Sequence, residues 1–230
     1  MRLTPPVAVP MDVPPYGLSG TVYGALLNHR SALEALGEAV NRAPYLGAPR
    51  APVLYIKPHN TLAASGDPVS VPPEVPELEI GANLGLVLGR AASRVAERDA
   101  FGYVAGYLIV NDVSVPHASC YRPAIRSKAR DGFCPLGPRV VPRSAVADPD
   151  AVSIRIYVDG VLRQTASTAQ LLRPAARLLA EVSDFMTLAP GDVLALGAAA
   201  PAPRVRAGQL VRIEIDPIGR LENRFVGGSA

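Results

Sequence analysis

Proline recurs too often along this chain for long helices to dominate it: 24 of its 230 residues are proline. Each one removes a backbone donor and fixes φ, which favours extended segments and tight connections over helix interiors. The first 20 residues, carrying Pro5, Pro6, Pro10, Pro14 and Pro15, read as an extended arm. Beyond them, short apolar runs bounded by turn residues predict strands at Val22–Leu27, Val53–Lys57, Leu84–Leu88, Val193–Leu196 and Leu210–Ile215. Ala100–Asp112 is a further apolar run, broken by Gly102 and Gly106. Ser153–Val158 and Leu162–Thr165 flank Asp159-Gly160, a strong hairpin signal. Two helices are expected. One covers Ala32–Arg42 behind Ser31 and Glu34 at capping-box spacing. The other lies within Leu171–Leu188, with Pro174 in its first turn.

Many strands, two modest helices and no alternating βαβ rhythm predict a β-rich α+β fold. Residues 1–50 read as a small N-terminal subregion and 51–230 as the main domain. With 49% hydrophobic and 19% charged residues, the chain has the composition of a globular protein. Aromatics make up 5% and tryptophan is absent, so the core must come from Val, Leu, Ala and Ile. The net charge of +3 is modest and spread out, which argues against a nucleic-acid surface. No apolar run reaches membrane-spanning length and residues 1–20 lack the pattern of a signal peptide, so a cytoplasmic location is expected. Cys120 and Cys134 do not make a disulfide framework.

The densest chemistry lies between Cys120 and Pro138. Arg126, Lys128 and Arg130 alternate, and on a strand they would share one face. Three cations on one face suit a carboxylate ligand, which arginine grips with paired hydrogen bonds; a solvated, charge-guarded edge strand explains them equally well. Asp112 follows Asn111 at the end of an apolar run, as a metal ligand or a turn residue. Glu77 and Glu79 could hold a hard cation, but their proline-rich setting predicts an exposed loop. His29, His59 and His117 lie far apart without ligand spacing and read as packing or surface residues. Nucleophile elbows, phosphate-binding glycine loops and Cys-x-x-Cys pairs are absent from the sequence, which removes serine hydrolases, nucleotide enzymes and thiol redox enzymes.

Taken in order, several blocks resemble the fumarylacetoacetate hydrolase family: Asn28 in Leu-Leu-Asn-His, Ile56–Thr61, Gly85–Gly89, Gly106–Ser114, Lys128–Gly137, Val158–Gln164 and Phe185–Asp192. The likeness runs over about residues 20–226 and is closest to the isomerase/decarboxylase members of aromatic (4-hydroxyphenylacetate) breakdown, of which this chain resembles an N-terminal half. It implies a mixed β-roll with few helices, a small di- or tricarboxylate substrate, and a homodimer or a heteromer with a sister subunit. Partnership with nucleic acid or a membrane is not implied. Lys128 matches the family's substrate-contacting lysine; with Arg126 it is the expected catalytic group, Arg122, Arg126 and Arg130 are expected to anchor carboxylates, and Asn60, Thr61 and Tyr121 to be lesser substrate contacts. Asp112 matches a metal carboxylate. The family's Glu-x-Glu pair falls in register on Gly81 and Asn83, so Asn83 is a degenerate ligand position, and Mg or Mn is expected to be weakly held or absent. The lid His and Glu that activate water in hydrolytic members fall at Ala32 and Ala35, and a substrate-contacting Gly-Thr-Pro becomes Gly197-Ala-Ala. The resemblance therefore implies decarboxylation or isomerisation. A non-catalytic partner of a metal-bearing sister is the alternative, and an acylpyruvate-type C–C hydrolase is opposed by the empty lid.

Overall fold

The structure is a computed structural model that describes residues 7–117, 119 and 122–228. In chain order its elements are β1 (Val22–Leu26), α1 (Arg30–Glu34), β2 (Val53–Lys57), β3 (Leu62–Ala64), β4 (Val69–Val71), β5 (Leu78–Glu79) and β6 (Ala82–Leu88). Then come β7 (Val104–Asn111), α2 (Ile125–Lys128), β8 (Cys134–Pro142), β9 (Ser153–Val158), β10 (Val161–Ser167) and α3 (Ala175–Phe185). The chain closes with β11 (Val193–Ala195), β12 (Arg204–Val205), β13 (Leu210–Ile215) and β14 (Gly219–Gly227). A mixed seven-stranded sheet runs β2-β1-β11-β6-β7-β8-β3, and a five-stranded sheet runs β10-β9-β13-β14-β4. This is the β-rich architecture with few helices that the proline distribution predicts.

β6 is central to the larger sheet and every one of its residues is buried. Leu84, Leu86 and Leu88 pack on one face with Tyr107 and Ile109 of β7 and with Leu178, Leu179 and Val182 of α3. Val87 packs on the other with Leu108, Val110 and the arm residues Val9 and Met11. Burying each such side chain contributes about 1.5–3 kcal/mol, so the ends of β6 and β7 are firmly placed. That placement matters because Gly81 and Asp112 lie just beyond those ends, joined by a 2.8 Å bond from the Asp112 N–H to the Gly81 carbonyl.

The hairpin forms as expected, with Asp159 and Gly160 both at positive φ as the tight primed turn requires. Several expectations need correction. The first helix ends at Glu34, because the chain turns at Gly37, whose φ is +50°, and only a 3-10 turn follows over Gly37–Asn41. His29, rather than Ser31, caps it, accepting from the Ser31 N–H. Ala100–Asp112 divides into a 3-10 segment and β7. Pro174 sits at the N-cap of α3, one residue before the helix starts. Glu79 belongs to β5, paired with β12, rather than to an exposed loop.

Arg126 and Lys128 lie on a helical turn, α2, and not on a strand. Residues two apart on a helix face away from each other, so Arg126 is exposed, Lys128 is buried, and the shared basic face is not formed.

Candidate active site

The site is assembled where β2, the ends of β6 and β7, and α2 meet. On β2, Tyr55 and Lys57 project to the same face, two residues apart, while Ile56 points outward and is exposed. Lys57 is fully buried, and its ammonium sits 2.9 Å from Asp112 Oδ1. Its three protons are nonetheless committed elsewhere: Nζ donates to the carbonyls of Val113 (2.6 Å), Lys128 (2.8 Å) and Phe133 (2.8 Å). An ammonium has three donors and no more. Lys57 therefore meets Asp112 chiefly as a counter-charge.

Asp112 Oδ2 accepts from Lys128 Nζ at 2.5 Å, and Ser114 Oγ is 3.5 Å from the same nitrogen. The Lys128 ammonium also stands 4.7 Å from the centre of the Tyr55 ring. Burial pushes the Asp112 carboxyl up, but Lys128 and then Lys57 outweigh it and bring it down to about 2. Burial pulls Lys57 down, against the attraction of Asp112. The Tyr55 phenol is raised well above its ordinary value, first by burial and then by the Asp112 carboxylate. Two positive charges face one negative charge in this buried cluster, leaving it net cationic and suited to an anion.

Above the cluster lies a cavity of about 550 Å³, lined by Tyr55, Glu79, Asp112 and His117 and by a series of alanines: Ala25, Ala32, Ala35, Ala198, Ala200 and Ala202. Ala32, Ala35 and Ala198 thus present only methyl groups to it. A second cavity, about 260 Å³, is lined by Tyr55, His117, Arg122 and Lys128 among others. His117 Nδ1 lies 2.9 Å from the Val115 carbonyl, which fixes that nitrogen as the donor.

The remaining expected residues divide. Arg122 reaches the second cavity. Arg126 is exposed at α2 and lines neither cavity. Arg130 is held 3.0 Å from Glu74 Oε1 and also donates to the Arg126 carbonyl. Asn60 donates to Asp131 Oδ1 (2.7 Å) and to the Ala129 carbonyl, which braces the turn after α2. Thr61 is buried and donates to the Pro58 carbonyl. Tyr121, like Cys120, lies outside the described residues. Lys57 and Tyr55 were given no role in the sequence reading. The signal was available, because a lysine at the inward position of an apolar strand needs a buried partner.

Residues 21–226 match the family described as Fumarylacetoacetate (FAA) hydrolase C-terminal. The chain belongs to the fumarylacetoacetate hydrolase family. It is 41% identical over 209 residues to the 4-hydroxyphenylacetate degradation bifunctional isomerase/decarboxylase of Escherichia coli, covering 91% of this chain and 48% of that protein. The chain thus spans about half the length of this relative. Among solved structures, 5-carboxymethyl-2-hydroxymuconate delta-isomerase from Mycobacterium smegmatis superposes with a TM-score of 0.80 at 30% identity, covering 94% of this chain and 82% of that one. Maleylpyruvate hydrolase from Sphingobium sp. SYK-6, in complex with manganese(II) and pyruvate, superposes with a TM-score of 0.77 at 28% identity, covering 94% and 74%.

A hard divalent ion such as that manganese needs several convergent oxygen ligands, and the residues present here do not fit one. Gly81 has no side chain. Asn83 spends its amide on the backbone, donating to the Gly81 carbonyl and accepting from the Gly197 N–H, both at 2.8 Å. Glu79 is held 3.0 Å from Arg204. Asp112 is already neutralised by two lysines. Among the described residues, no group of three or more His, Cys, Asp or Glu converges on a metal position.

Proposed function

We propose that this chain is a decarboxylase/isomerase-type subunit of 4-hydroxyphenylacetate catabolism, acting on 5-oxopent-3-ene-1,2,5-tricarboxylate or 2-hydroxyhepta-2,4-diene-1,7-dioate. The observation that carries this reading is the net-cationic Lys57–Asp112–Lys128 cluster, which lies beside an alanine-lined cavity. Decarboxylation breaks the carbon–carboxylate bond and sends its electron pair into the conjugated carbonyl, whose oxygen becomes an enolate; isomerisation moves a proton between that oxygen and carbon. Both steps need an anion-stabilising site. Neither needs an activated water, for which Ala32 and Ala35 offer no base.

Lys128 is the residue suited to meet the developing oxyanion. One of its protons goes to Asp112, and Ser114 is a long 3.5 Å away, so donor capacity remains for a ligand. Arg122 is placed to hold a substrate carboxylate. The test is turnover of the purified chain, alone and mixed with a sister subunit of the family, followed by CO₂ release and the change in enol absorbance. Turnover by the chain alone supports the reading. Turnover only in the mixture, unchanged by Lys128→Met here, overturns it in favour of a non-catalytic partner, a second reading that the loss of carboxylates at Gly81 and Asn83 supports.

A further inference from the structure

The two cavities of the site share three bordering residues, Leu26, Tyr55 and His117. Leu26 has no polar side-chain group, and the Tyr55 phenol is buried against the Asp112 carboxylate. His117 differs from both. It lies beyond β7 on the segment that follows Ser114, is half-buried, and borders the 550 Å³ and the 260 Å³ cavity alike. Its Nδ1 donates to the Val115 carbonyl at 2.9 Å, so in the neutral ring Nε2 is the acceptor. In imidazolium both nitrogens are donors. The bond to Val115 therefore survives protonation, and the ring can take up and release a proton at Nε2 without turning.

Moving a proton between oxygen and carbon needs a carrier that accepts it and gives it back, a task most often done by imidazole. The other titratable groups at the cavities are unsuited to it. Burial pushes the Asp112 carboxyl up, but Lys128 and Lys57 bring it down to about 2, so it stays an anion. The Tyr55 phenol, raised well above its ordinary value by burial and then by Asp112, keeps its proton. Glu79 is engaged by Arg204 at 3.0 Å. Lys128 is shared between Asp112 and the substrate oxygen. We propose that His117 is the proton-transferring residue of the isomerisation, acting through Nε2 from the junction of the two cavities. The enol O–H proton passes to Nε2, and the electron pair of that bond forms the new C=O. The diene electrons shift along the carbon chain to C5, which takes a proton from Nε2–H. Nothing is oxidised or reduced, and the ring ends neutral, as it began. This deepens the decarboxylase/isomerase reading and rests on it.

The test is the isomerisation of 2-hydroxyhepta-2,4-diene-1,7-dioate, followed by loss of enol absorbance with EDTA present. Wild type is expected to run faster than buffer. His117→Asn keeps an amide N–H for the Val115 carbonyl and removes Nε2. It is expected to lower kcat about a hundredfold or more, the usual worth of a positioned acid–base group, while malonate affinity by calorimetric titration stays within about twofold. His117→Ala leaves room for free imidazole, which is expected to restore part of the lost rate in that variant and to leave wild type unchanged. This second variant carries the test should His117→Asn fold poorly. An undiminished kcat in His117→Asn, or no rescue of His117→Ala, overturns the assignment and leaves the carboxylate site standing. A loss of malonate affinity as large as the loss of kcat does the same, since His117 would then hold the substrate and not move its proton. Wild type no faster than buffer overturns the functional reading and this inference together.

Discussion

Lys57 forms a 2.9 Å ion pair with Asp112 Oδ1 while its ammonium ties together the carbonyls of Val113, Lys128 and Phe133. The lysine is thus both the counter-charge of the site and the clasp that fixes the segments on either side of it. Lys128 neutralises the same carboxylate from the side that lines the second cavity. The two lysines differ in what they hold, and so should the consequences of losing them.

Replacing Lys57 by Met orphans three buried carbonyls and removes half of the counter-charge of a buried carboxylate. A loss of about 3–5 kcal/mol is expected, as for breaking a buried ion pair. Lys128→Met leaves Asp112 neutralised by Lys57, and its cost should be nearer the 1.5–3 kcal/mol of one charged hydrogen bond, about 2 kcal/mol. Lys128→Met should also abolish the rise in melting temperature that a di- or tricarboxylate produces. Urea unfolding of both variants, with and without ligand, checks the order; a more damaging Lys128→Met would contradict it.

Acid should unfold the protein partly through Asp112. Its carboxyl is depressed from 3.8 to about 2 in the folded chain. A depressed carboxyl contributes stability that is full above the unfolded value and is lost as pH falls through the folded one. The window is therefore pH 4 down to 2, and the contribution is on the order of 2 kcal/mol. Asp112→Asn removes that dependence while lowering stability at neutral pH, since two buried lysines then lack their anion. Unfolding free energies of the two proteins at pH 2.5, 4 and 7 should converge toward the acid end.

How much of this was legible follows from which residues sit where the pattern expects them. β2 and β13 were readable as apolar runs bounded by turn signals, and β9 and β10 from the Asp159-Gly160 turn between them. β14 was not anticipated, although Leu221, Asn223 and Phe225 alternate inward, because the middle inward position is an asparagine. Its amide donates to the carbonyls of Ala64 and Asp67, a tertiary satisfaction invisible in sequence. The three cations of the basic cluster were visible as residue types, but their common face depended on a strand that is a helical turn here. That Gly81 and Asn83 bring no carboxylate to the end of β6 was readable from the sequence. That Asp112 is saturated by lysines was not, since Lys57 lies 55 positions away and its role depends on folding.

Arg126 lines neither cavity, whereas Arg122 lines the second. Arg126 is solvent-facing, with its carbonyl rather than its side chain used by Arg130. Arg126→Ala should leave a dicarboxylate's affinity within about twofold, as screened surface charges contribute little. Arg122→Ala, removing a charge that lines the cavity with Lys128, should weaken it about tenfold, the worth of a charged hydrogen bond. Calorimetric titration with one probe, malonate, ranks the two; a stronger effect at Arg126 would return it to the site.

Metal content tests the donor set directly. Hard cations depend on carboxylate charge for affinity, and magnesium sheds water reluctantly. With Gly81 mute, Asn83 turned to the backbone and Asp112 neutralised by two ammonium groups, the dialysed protein should hold far less than one equivalent of Mg or Mn by elemental analysis. Restoring carboxylates should not be simple. A Cβ at residue 81 would lie 2.9 Å from the Asp112 carbonyl oxygen and 3.2 Å from its Cβ, so the β6–β7 end must shift to admit Gly81→Glu. Asn83→Glu also removes the acceptor of the Gly197 N–H. The double variant should therefore lose about 2–4 kcal/mol, combining strain and a broken buried hydrogen bond, and should regain metal affinity only when Lys57 or Lys128 is also neutralised. A full equivalent of tightly held metal in the wild type would show that the in-register positions are not the ligands. Glu79 would then be the carboxylate to examine, since it lines the cavity with Asp112 and would have to leave Arg204 to reach an ion.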